Sequence, residues 1–146
     1  MSSGILGTQA TLVADVNLIL QIIVLIGLTI GAFQARRGRL GAHRKLMTAA
    51  VIINAVAIIA IMNPSFFRVF PFALRHPGAP GPTVMWPHAA IGALAELMGA
   101  YIIIRLNLDP SRISRLGSLK LLMLITLLLW IVALVVGIAV YYVWHV

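Results

Sequence analysis

Four histidines and six methionines are the soft donors of this chain, which has no cysteine. Disulfides, thiolate metal sites, iron–sulfur clusters and cysteine nucleophiles are excluded together. Any metal or haem must therefore be held by His, Met, Tyr, carboxylate or backbone, and imidazole suits both iron and copper. The histidines are His43, His76, His88 and His145, and Met47 follows His43 by one helical turn. Asp15, Glu96 and Asp109 are the whole acid inventory. That argues against a carboxylate-pair hydrolase, and no catalytic residue is assigned.

The elements that position these residues belong to a membrane. Of 146 residues, 62% are hydrophobic and 10% charged, whereas soluble domains run at about 45–50% apolar and a quarter charged. A mean hydropathy of +1.07 excludes an ordinary water-soluble globule, a disordered tail and a nucleic-acid-binding domain. The net charge of +8 does not reverse this, because the basic residues flank apolar runs of spanning length. A spanning helix needs about 20 apolar residues, and four stretches qualify, approximately 12–35, 43–62, 84–104 and 119–143. The first has neither the basic start nor the small-residue cleavage site of a signal peptide, and is read as a true span.

Charge sets the orientation. The segments joining spans one to two and three to four hold nine of the eleven Lys and Arg, Arg112 and Arg115 among them, and the segment joining two to three holds only Arg68 and Arg75. Both termini should lie outside, with the two basic loops in the cytoplasm. The outer segment 63–83 reads as a proline-rich loop, since proline removes donors and fixes φ. Its phenylalanines, with Trp86, should lie along the interface, and Tyr141, Tyr142 and Trp144 read as the aromatic belt at the end of the last span.

Ionisable or polar residues inside spans are functional candidates by default. Glu96 lies near the middle of span three, where an acid costs roughly 2.5–3.5 kcal/mol on insertion scales. Asn54 sits at similar depth and is its expected partner. A proton-relay or quinone-contacting carboxyl is one reading, and interhelical hydrogen bonding is the other. Asn17 and Gln21 share a face of span one with Asp15 nearby, and point into the bundle or at an outer polar site. Gly27 and Gly31 form a G-x-x-x-G pair, while His88, Gly92, Ala95 and Gly99 line one face of span three. Either close helix packing or a flat macrocycle beside His88 would require such small residues.

His43 opens span two from the inside and His88 opens span three from the outside. Roughly 25 Å of helix separates them, so they cannot ligate one ion or one haem. An outer site would draw on His88 with His76 or His145, the last weakened by its penultimate position. His43 with Met47 would form a weaker inner site.

From His43–Met47 (His-Arg-Lys-Leu-Met) onward the chain resembles the YozB/CtaM-like family of four-span prokaryotic membrane proteins, formerly of unknown function, which includes oxidase assembly proteins. The likeness takes in Pro87-His88-Ala89, Tyr101 and Arg105, then Thr126, Trp130, Gly137 and Tyr141, and covers roughly residues 41–142. One departure concerns a histidine usual just before the last span, where this chain reads Arg115, Leu116, Gly117, Ser118, Leu119, Lys120. The resemblance implies a role beside haem–copper oxidases in assembly or maturation, handling haem or copper, with no established catalytic activity.

The expectation is thus a single-domain, all-α membrane protein over residues 1–146, a four-helix bundle with both termini outside, in the plasma membrane of a prokaryote. It would bind haem b or copper through His88, His76, His145, His43 and Met47, with His43 and His88 as metal ligands, and support oxidase assembly or electron transfer. The alternatives are a cofactor-free accessory subunit of a larger complex and a small proton-coupled carrier using Glu96 and Asn54. Partners are the lipid bilayer, an oxidase or other membrane complex, and a second copy of the chain, with no nucleic acid.

Overall fold

A computed structural model describes residues 5–7, 9–108 and 117–146, with side chains given from Leu119 in the last segment. The expected contributions of Asp109, Arg112, Arg115 and Leu116 lie outside the described residues. All regular structure described is helical: α1 (Leu12–Arg36), α2 (Leu40–Ala57), a π-helical turn (Ile58–Met62), α3 (Asn63–Arg75), α4 (Pro80–Leu108) and α5 (Gly117–His145). Four helical stretches are long and apolar enough to cross a membrane, namely Leu12–Arg36, Leu40–Arg75, Pro80–Leu108 and Leu119–His145. The protein is an all-α, multi-pass membrane protein.

The helices form two antiparallel hairpins, α1 with α2 and α4 with α5. The first turns within three residues. Gly38 donates to the Ala35 carbonyl and Arg39 to that of Gln34, while Gly38 takes φ +73°. This pairing of reversed hydrogen bonds at a helix C-terminus needs a left-handed residue, which glycine supplies without a Cβ clash. At the other end of the molecule Gln9 donates to the His145 carbonyl, so the N-terminal segment lies beside the end of α5. The acceptor of this bond, His145, is the last residue of α5.

The expected proline-rich loop over 63–83 is corrected by the structure. Helix continues through Asn63–Arg75, and α4 already begins at Pro80, so only residues 76–79 join the two, closed by Ala79 donating to the His76 carbonyl. The prolines are accommodated by position. Pro64 lies in the first turn of α3, after the π-turn has absorbed the register change, and Pro80 and Pro82 lie in the first turn of α4. At Pro80 and Pro82 the first-turn N–H groups have no intrahelical acceptor, so proline forfeits nothing there, whereas Pro64 lies inside a helical stretch that runs unbroken over Leu40–Arg75. Pro71 and Pro87 are interior, where each removes one backbone donor from its helix. Phe66 and Phe70 of α3 both pack edge-on or tilted against Trp86 of α4, at 5.7 and 5.8 Å between ring centroids. The aromatics expected along the outer segment thus pack on one another across two helices.

One core joins all four spans: Val24 and Leu28 from α1, Ala50 and Val51 from α2, Ala95 from α4 and Trp130 from α5. Lipid is as apolar as leucine, so close packing holds such helices together instead of water exclusion. Gly99 illustrates it, since a Cβ there would stand 3.1 Å from Val51, with Trp130 and Thr126 next. Gly27, by contrast, faces open space, so the G-x-x-x-G pair uses Gly31 alone. Each span buries just 17–22% of its most apolar window within the chain. The rest is surface for lipid or a partner.

Candidate functional site

Three polar side chains from three spans form a chain across the middle of the bundle. Gln21 Nε2 donates to Asn54 Oδ1 at 2.8 Å, and Asn54 Nδ2 donates to Glu96 Oε2 at 2.8 Å. The Asn54–Glu96 contact is the one expected, and Gln21 extends it to α1. Asn54 can serve both neighbours because its amide carries a donor and an acceptor. Glu96 Oε1 and Asn17 Oδ1 are buried with no hydrogen-bond partner among the described residues, as is Trp130 Nε1.

The histidines lie on either side of this chain. Along α2, His43 is 11 residues from Asn54 toward the basic end, and along α4, His88 is 8 residues from Glu96 toward the end carrying the termini. At 1.5 Å per residue they are about 28 Å apart along the bundle. The expectation that they share no ligand holds on this geometry.

Both rings are wired alike. His43 Nδ1 lies 2.8 Å from the Gly31 carbonyl, and His88 Nδ1 lies 3.0 Å from the Ala133 carbonyl. A carbonyl only accepts, so Nδ1 must carry the proton in each, and in the neutral ring Nε2 keeps its lone pair. A glycine on the facing helix lies beside each, making room for the His88 ring at Gly137 and for the Met47 methyl at Gly31. A Cβ on Gly137 would stand 2.8 Å from His88 Cε1, and one on Gly31 would run into the Met47 methyl. His43 and Met47 thus meet at one glycine, as a pair of soft donors.

The remaining histidines have other neighbours. The exposed His76 ring lies against Phe72 at 4.9 Å, and His145 lies against Tyr141 at 5.3 Å. His145 is two turns, about 12 Å, beyond the glycine that receives His88. Among the described residues no three His, Cys, Asp or Glu side chains converge as a metal-binding group.

Sequence reasoning missed a second polar junction. Asp15 is fully buried, with Oδ2 accepting from the Leu6 N–H at 3.0 Å and Oδ1 from the Tyr141 hydroxyl at 2.5 Å. Tyr141, one of the aromatics at the end of the last span, ties α5 to α1. Trp144, another of them, covers Gly81 and packs on Phe72. Equal depth of Asp15 and Tyr141 at the terminal ends of two spans was the available signal. Thr126, Trp130, Ala133, Gly137 and Tyr141 recur every three or four residues, forming one stripe of α5 turned into the bundle.

No family model, curated protein or solved structure matches the chain.

Proposed function

We propose that the protein serves a respiratory haem–copper oxidase in the plasma membrane of a prokaryote, as a membrane-embedded assembly factor presenting single histidines to haem b or copper. The observation that carries this is the common wiring of His43 and His88, whose Nδ1 atoms are spent on backbone carbonyls. Metal-ligating histidines are oriented by such a bond on the other ring nitrogen. Met47, meeting His43 at Gly31, adds a thioether suited to copper(I). The oxidase as partner rests on the sequence resemblance, and the large unburied span surface is where a partner would sit.

Single imidazoles favour hand-over above storage. A resident electron-carrying haem b needs fixed axial ligation, whereas His76, His88 and His145 each have separate neighbours. One protein ligand leaves the other coordination positions to the incoming or receiving partner. Haem b or copper would supply the redox chemistry, and this chain's residues fix the imidazole tautomer and ring direction.

Oxidised and dithionite-reduced absorption spectra of the detergent-purified protein, with metal analysis, test the reading. Once haem b or copper(I) has been supplied to the sample, a shifted Soret band or bound copper is the expected result. A featureless, copper-free sample that co-purifies with larger proteins would overturn it in favour of a cofactor-free accessory subunit. The Gln21–Asn54–Glu96 chain favours a second reading, in which Glu96 exchanges protons in a small carrier. Glu96→Gln would then abolish transport while leaving any haem spectrum unchanged.

A further inference from the structure

The basic end of the bundle contains an open groove between α2 and α4, about 360 Å³ in volume, lined by Arg44, Lys45, Thr48, Ala49, Ile52 and Asn107. Its α2 wall is graded by depth. Two cations come first, a hydroxyl follows one turn in, and apolar side chains follow within the next turn. At about 6 Å per four residues, this reproduces the order of a phospholipid from phosphate through glycerol ester to acyl chain. On the α4 wall, Asn107 Nδ2 donates to the Ile103 carbonyl at 2.7 Å and approaches Thr48 Oγ1 at 3.5 Å. Its Oδ1 remains to accept from a headgroup hydroxyl.

The cations are uncompensated among the described residues. Asp15 is committed to Tyr141 at the opposite end, and Glu96 to Asn54 at mid-depth. Basic pockets between spanning helices on this side of a membrane suit anionic headgroups.

We propose that this groove is a binding site for one anionic phospholipid, with Arg44 and Lys45 holding its phosphate and Ala49 and Ile52 its upper acyl chain. A choline headgroup would set its own cation against Arg44 and Lys45, so the site discriminates by net charge. The inference is independent of the histidine reading.

Native mass spectrometry of the intact protein, titrated with phosphatidylglycerol or phosphatidylcholine of identical chains, tests it. One phosphatidylglycerol is expected to bind roughly tenfold more tightly than phosphatidylcholine. The double variant R44Q/K45Q should lose that preference, whereas R36Q/R37Q, which removes equal charge at the same end outside the groove, should keep it. Circular dichroism of both variants establishes that they fold. Equal binding of the two lipids, equal loss in both variants, or displacement of the lipid by millimolar inorganic phosphate would each overturn the proposal.

Discussion

The two hairpins each carry one histidine bonded to a carbonyl of the partner helix, but they hold it in place by different means. In the first, His43 lies close to the turn, and the three-residue connection through Gly38 fixes which residues of α1 and α2 face one another. In the second, His88 lies far from the connection, near the open end, and its register depends on packing against Ala133 and Gly137. The same imidazole wiring is therefore set by chain connectivity in one hairpin and by side-chain fit in the other. A substitution at the facing glycine should be tolerated in the first and felt in the second.

The seam between the hairpins should respond most strongly, because it joins what neither turn can join. Tyr141→Phe removes the hydroxyl that donates to Asp15 and ties α5 to α1, and is expected to give the largest fall in unfolding temperature of the substitutions considered. Thermal unfolding in detergent, followed by helical circular dichroism, would read that loss. Gly137→Ala comes next, at about 1–3 kcal/mol for overpacking, since its Cβ meets a ring that its hydrogen bond restrains. The same melt measures it, and the His88 imidazole resonances should shift with it.

Asn54→Leu tests the midplane. It strips Gln21 and Glu96 of their shared partner, and interhelical polar contacts in membranes average about 0.6 kcal/mol. A loss in the melt far above that figure would give the polar chain a larger role in stability than either hairpin turn. Gly31→Ala should have the smallest effect, within about 0.5 kcal/mol, because the atom in its way is the end of a flexible methionine. If Gly31→Ala were as damaging as Gly137→Ala, the contrast between the hairpins would fail.

Some of this arrangement was legible in the residues and some was not. The four spans follow from apolar runs of sufficient length, and Glu96 with Asn54 from two costly groups at one depth. Helix spacing alone also placed the two histidines beyond any common ligand. The helical course of Asn63–Arg75 was hidden, because proline carries a helix-breaking bias, yet Pro64 and Pro71 both lie within helix there. Gln21 was read into the bundle without a named partner, since its rotation about α1 could be fixed only by α2. Asp15 and Tyr141 are 126 residues apart, and only the closing of α5 on α1 brings them together.

The central claim is that His43 and His88 act as two separate single-imidazole ligands. Its most direct test is a paired titration of the purified protein with copper(I) and with haem b, repeated on His88→Ala, His43→Ala and the double variant. The account predicts weak binding at two independent sites, with each single variant losing one and the double variant losing both. Binding that survives the double variant, or a single tight site lost in either variant alone, would contradict it.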